Sequence, residues 1–97
     1  MIIILKKSPN IKKKFRVVFE DGKHIDFGAR GYSDYTIHKD PERMKRYLQR
    51  HRSRENWSKA GIKTAGFWSR WLLWSKQSLP KAKTFMQNKF QIKIKNA

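Results

Sequence analysis

The side chains best suited to chemistry are cationic and closely spaced. Between Pro41 and Arg54 the chain reads PERMKRYLQRHRSR. Arg43, Arg46 and Arg50 recur at i, i+3 and i+7, so a helix would set them on one side, and Arg54 continues near the same line. Lys45 and Arg52 flank them, and only Glu42 opposes them within the segment. A guanidinium grips phosphate or carboxylate through two parallel N–H bonds in a fixed fork. Several such forks on one rod would neutralise several phosphates and displace their counterions, which gives tight, salt-dependent binding. The pattern suits backbone contact more than base reading, because Gln49 is the one side chain here of the kind that reads adenine.

Four tryptophans follow between positions 57 and 74. Core packing is the plain reading of Trp57, Trp68, Trp71 and Trp74. Stacking on unpaired bases, or anchoring in a protein interface, is the functional one. Four indoles exceed what a small core hides fully, so at least one, Trp57 or Trp74, is expected to stay partly exposed, and these two are the candidate stacking or interface anchors.

Catalysis finds little material. The chain has seven acids, and Asp34, Asp40, Glu42 and Glu55 are accounted for by helix caps or ion pairs. His24 lies beside a turn and reads as an exposed strand residue. His51 continues the apolar side of the arginine helix and reads as a packed core histidine. A nuclease centre made of Asp34, Tyr35, His38 and Glu55 is the strongest enzymatic arrangement on offer, and no recognised spacing supports it. There is no P-loop, no GxGxxG and no HExxH. Without cysteine, a disulfide scaffold and thiolate zinc sites are excluded. The expectation is a non-enzymatic protein with no cofactor, no metal and no small-molecule substrate.

Charge points to the partner. The net charge is +17 over 97 residues, which opposes compaction and favours an anionic partner. The excess lies mainly after residue 40, so the partner should face the second half. A lipid surface fits poorly, because the tryptophans and the arginines sit on separate segments. The apolar run Met1–Leu5 is far too short for a signal core or a membrane span. The expected setting is intracellular, with no secretion.

The elements that must position these residues can be read in order. Ile2–Leu5 is β-branched and strand-like. Phe15, Val17 and Phe19 alternate with polar neighbours, Asp21-Gly22 supplies a hairpin turn, and Ile25 and Phe27 return, so residues 13–28 form a β-hairpin. Gly28 and Gly31 leave the sheet, and Ser33 can cap a single helical turn. Asp40-Pro41 starts the arginine helix, which runs to about Arg52 with Met44, Tyr47, Leu48 and His51 on its apolar side. Thr64 caps a helix to about Trp74, with Phe67, Trp71 and Trp74 on one face and Trp68 and Leu72 in an adjacent row. Ser78-Leu79-Pro80 opens a third helix, and Gln91–Lys95 can close with a short strand. The whole is one α+β domain, residues 1–97: a small antiparallel sheet packed by about three helices. Met44, Tyr47, Leu48, Trp68, Trp71 and Leu72 are expected to hold the arginine stripe rigid.

Two stretches, FGARGYSDYTIHKDPERMKRYLQRHRSRENW and TAGFWSRWLLW, together with the hairpin KKKFRVVFEDGKHIDFG, resemble a family of small, basic, functionally uncharacterised proteins of large nucleocytoplasmic (giant) DNA viruses. The resemblance implies a viral protein carried in the particle or present in the infected cell, in cytoplasm or nucleus. It brings no catalytic residues. The expected function is contact with viral DNA or RNA, largely independent of sequence, through Arg43, Lys45, Arg46, Arg50, Arg52 and Arg54. The alternative is a minor capsid or cement protein whose arginines meet acidic surfaces of neighbouring capsid proteins.

Overall fold

Alternation of apolar and polar side chains makes the first third of the chain a sheet. The computed structural model, which describes residues 1–97, has β1 at Ile2–Lys7, β2 at Lys13–Val18 and β3 at His24–Ala29. The turn between β2 and β3 needs the positive φ that Gly22 supplies, and Asp21 Oδ1 accepts from the Lys23 N–H at 3.0 Å. Phe15 lies opposite Phe27 and Val17 opposite Ile25. β1 pairs antiparallel with β2, Ile4 opposite Val18.

The final strand, β4 (Lys93–Asn96), lies parallel to β1, with Ile3 opposite Ile94. The order is β3-β2-β1-β4. The sheet is therefore mixed, not purely antiparallel as expected. The cause is the helical crossing that precedes β4: a strand delivered by a crossover enters from the same end as the strand it joins.

The second half supplies the helices of this α+β fold. α1 is one turn, Tyr35–His38, and α2 is Pro41–His51. A 3-10 turn at Lys59–Gly61 leads to α3, Ala65–Trp68, which runs on into a π-helical turn at Ser69–Leu73. α4 spans Leu79–Phe90, with the Ser78 hydroxyl accepting from the Lys81 N–H at 3.3 Å. The count is thus four α-helices, because the turn before Asp40 closes as α1. Its cap is Asp34, not Ser33: the Asp34 carboxylate accepts from the Thr36 N–H at 2.9 Å and from the Lys14 ammonium at 2.6 Å. A carboxylate that serves two donors outcompetes a hydroxyl one position earlier.

Trp68 is the centre of the core. It is 0% exposed, within 6.0 Å of Phe27 and 5.7 Å of Phe67 between ring centroids. Its Nε1–H donates to Ile62 O at 2.7 Å, so its one polar group is satisfied inside. Leu72, Met86, Ala82 and Ile3 close around it, each 0% exposed. The row of Trp68 and Leu72 is therefore the most deeply covered part of its helix, and it packs against the sheet instead of under the arginines.

The π turn changes which side chains share a face. The Trp74 N–H reaches back five residues to Ser69 O at 3.1 Å. One extra residue per turn lets Leu72 and Leu73 both point inward and swings Trp74 away from the line of Phe67 and Trp71. Phe67 and Trp71 both meet Phe90, at 5.0 and 5.4 Å, while Trp74 meets Tyr47 and His38 instead. A face read with a regular 3.6 period could not anticipate that separation.

Gly28 stays inside β3 but takes φ +78, and a Cβ there would lie 2.9 Å from Leu73 Cδ1 and 3.2 Å from Lys14 Cβ. Gly31, at φ +91, has open space around it. Gly31→Ala should therefore cost about 1–2 kcal/mol for the backbone alone. Gly28→Ala should cost more, about 2–4 kcal/mol, because overpacking adds to the strain. Urea unfolding of both variants measures the difference.

Candidate anion-binding surface

α2 forms where it does because Asp40 and Pro41 begin it. The Asp40 carboxylate accepts from the Glu42 N–H at 3.0 Å and the Arg43 N–H at 3.4 Å, and its charge suits the positive end of the helix. The Asp40 N–H in turn donates to His38 Nδ1 at 2.9 Å. α1 and α2 are thereby joined at a corner of hydrogen bonds.

Only Tyr47 of α2 is buried. Its ring lies flat on Trp74, with centroids 4.2 Å apart and planes 2° apart, and His51 stacks on its other side at 4.2 Å. Burial, reinforced by Glu55, pushes the Tyr47 phenol well above its ordinary value, so it stays neutral. Met44, Leu48 and His51 remain half-buried. The helix is therefore held by one aromatic stack at its middle and a cap at its start. Trp68, Trp71 and Leu72 take no part in that stack: Trp68 and Leu72 belong to the core, and Trp71 packs on Phe85 and Phe90.

His51 is not the buried core residue its helical position suggests. Its Nδ1 lies 3.1 Å from the Glu55 carboxylate. Glu55 also accepts from the Trp57 indole N–H at 2.9 Å, and its side chain lies where a Cβ on Gly66 would fall. Glu55 thus ties the end of α2 to Trp57 and to the start of α3.

All six candidate cations, Arg43, Lys45, Arg46, Arg50, Arg52 and Arg54, are exposed. Lys45 is 3.7 Å from Glu42, a surface pair worth little. The five arginines have no carboxylate partner. The structure divides them. Arg43 and Arg50 line a cleft of about 470 Å³ together with Lys13 and Lys14 of β2, Asp34, Tyr47, Glu55 and Trp74. Lys45, Arg46, Arg52 and Arg54 lie outside it.

Trp57 and Trp74 are both half-buried, as is Trp71. Trp74 gives one face to Tyr47. Trp57 and Trp71 flank Arg70, whose guanidinium carbon lies 5.4 and 4.3 Å from their centroids. Burial lowers the Arg70 pKa, opposed by Tyr47, and its Nη1 donates to Trp74 O at 2.9 Å. The large aromatic side chain that stays open beside the cations is Tyr32, 73% exposed at the rim of the cleft. By sequence the Lys12–Lys14 run reads as a solvated loop or strand start and Tyr32 as part of a helical turn, whereas the fold brings Lys13, Lys14 and Tyr32 to the cleft. The signal for them was the pair Gly28 and Gly31, which turns the chain sharply there.

Of the residues weighed for a nuclease, Asp34 is bound to Lys14 and Thr36, Tyr35 is buried, and His38 accepts from the Asp40 N–H. Glu55 is bound to His51 and Trp57. No group of three or more His, Asp or Glu side chains is placed to hold a metal ion, and no helix is long and apolar enough to cross a membrane.

The fold and this surface define a basic α+β domain with a cationic helix beside a cleft. A model described as a family of unknown function (DUF5754) matches residues 3–51, and the chain belongs to that family. The matched region holds β1 from Ile3 onward, β2, β3, α1 and all of α2, while Glu55 and the part of the cleft lining from Ala65 to Trp74 lie beyond it. No curated protein and no solved structure matches the chain.

Two outcomes follow from the way α2 is attached. Tyr47→Ala should cost about 3–5 kcal/mol, as removal of a buried ring does, and near-ultraviolet circular dichroism should lose the Trp74 signal along with it. His38 gives a pH dependence. Its burial, aided by Arg43, holds it below its ordinary 6.5, against the weaker pull of Asp40 and Asp34. The unfolded chain then binds a proton before the folded one does. The stability contributed by neutral His38 is complete above pH 6.5 and is lost as pH falls through the depressed folded value. Thermal unfolding should show wild type losing stability relative to His38→Gln as pH falls below 6.5.

Proposed function

We propose that the chain is a non-enzymatic nucleic-acid-binding protein that contacts phosphates through α2. The observation that carries this reading is the five exposed arginines without a carboxylate partner, in a fold where every one of the seven acids is already engaged. Asp21 is held by Lys63, Asp26 by Arg16, Asp34 by Lys14, Glu42 by Lys45 and Glu55 by His51. Asp40 caps α2, and Glu20 accepts from the Ile2 N–H. Apart from the bond that Arg54 Nη2 donates to Arg50 O at 3.3 Å, these arginines find no anion inside the molecule, and the one they suit must come from outside. Phosphate suits a row of forks better than scattered carboxylates do, because its charge repeats at regular spacing along a backbone. The likeness of residues 27–74 to proteins of giant DNA viruses supports a viral genome or transcript as the partner.

Generic DNA should bind with micromolar or tighter affinity. With about four phosphates neutralised, that affinity should fall roughly 100-fold between 50 and 200 mM salt. Reversing charge at Arg46 and Arg50 together should weaken binding and flatten the salt slope by about two contacts. Loss of all retention near physiological salt would sink the reading. Capture of acidic capsid protein by the same arginines, with no affinity for DNA, would point to the cement role instead.

A further inference from the structure

We propose that the cleft between α2 and the open end of the β2–β3 hairpin seats one nucleotide of a single strand. Its phosphate would lie between Lys13 and the Arg43–Arg50 pair, and its base against Tyr32. This rests on the reading that the chain binds nucleic acid, and it names the form of nucleic acid.

The cations come from opposite walls. Lys13 belongs to β2, while Arg43 and Arg50 belong to α2, and all three line the same cleft. The two acids in the cleft, Asp34 and Glu55, do not balance its four cations, Lys13, Lys14, Arg43 and Arg50, and the lining keeps an excess of two positive charges. Asp34 is taken by Lys14 at 2.6 Å, and Glu55 by His51 and the Trp57 indole. Like charges facing across a gap repel, so the arrangement is relieved when an anion sits between them.

The cleft has the size for one unit of a strand. About 470 Å³ admits a nucleotide, whereas a duplex can only lie along the outer side of α2, on Arg46 and its neighbours. The rim carries the remaining requirement. Tyr32, 73% exposed, stands on the turn that Gly31 makes with φ +91, and its N–H donates to Ala29 O at 3.2 Å. An open aromatic ring beside cations, on a backbone held in place, is how proteins hold an unpaired base, since every base offers a π-face. Behind it the flat Tyr47–Trp74 stack keeps the α2 wall in place.

The test compares a short fluorescein-labelled oligothymidylate with a duplex of the same length, by anisotropy at matched salt. Wild type should bind the single strand about tenfold or more tightly than the duplex. Tyr32→Ala should weaken the single strand by roughly 5- to 100-fold and leave duplex binding within about twofold, while Tyr32→Phe keeps the platform and the affinity. Lys13→Gln should lower the single-strand salt slope by about 0.7, one phosphate contact. Single-strand affinity unchanged by Tyr32→Ala, or equal affinity for both forms, overturns the proposal. Intact duplex binding in that case leaves the α2 reading standing. Failure to bind either form overturns both.

Discussion

Scarcity of negative charge governs this molecule. Seven carboxylates serve 24 lysines and arginines, so each acid sits where it holds something. Asp34 is the clearest case: nearly buried, it caps α1 and binds Lys14 of β2, joining a helix to the sheet. Asp26 receives Arg16 at 2.7 and 3.0 Å and also the Ser8 hydroxyl at 3.1 Å, which fixes the loop after β1. Removing Lys14 leaves the buried Asp34 carboxylate uncompensated, which is why that pair matters more than the half-buried Arg16–Asp26 pair or the exposed ones. Where acids run out, ring faces substitute. Arg70 lies between Trp57 and Trp71, Lys89 lies 5.3 Å from Trp71, and Lys76 lies 4.3 Å from Phe85. The tryptophans thus shelter cations as well as filling the core, and the arginines of α2 receive neither kind of shelter.

That contrast explains the division of labour between the two halves of the central segment. The helix from Ala65 to Leu73 is immobilised on nearly all sides by sheet and α4. α2 presents charge outward and touches the rest of the protein chiefly through Tyr47. The π turn connects them, because it alone brings Trp74 out of the core far enough to meet that ring. π turns cost hydrogen-bond geometry and tend to occur where a side chain must be re-aimed. Here the re-aimed side chain is the support of the charged helix.

Much of the fold was legible because local chemistry and tertiary structure agree. Asp21-Gly22, Asp40-Pro41, Thr64 and Ser78-Leu79-Pro80 each mark an element boundary by a mechanism that works within a few residues. The apolar alternation around Phe15 and Phe27 set the inner face of the sheet. What escaped depends on distant parts of the chain. Asp34 displaced Ser33 as a cap because Lys14, twenty positions away, needs its charge. His51 stops half-buried beside the cleft because Glu55 and the Tyr47 ring gave it partners there. The π turn leaves no pattern in side-chain type, so the exit of Trp74 could not be read. The cations of the stripe were legible from spacing alone. Their division between cleft and outer face was not, since it depends on where β2 lies against α2.

The parallel pairing of β1 with β4 bears on how the chain is made. Ile2 faces Lys93 across the ladder, so the sheet gains its fourth strand only after everything between them has been synthesised. On the ribosome the hairpin and β1 can associate early, but one edge of β1 stays unpaired until the last strand emerges. An unpaired edge that displays Ile2 to Leu5 invites pairing with another chain. Lys6 and Lys7 at the end of that strand, and the positive charge of the whole nascent segment, keep two such intermediates apart while each waits for its own C-terminal strand.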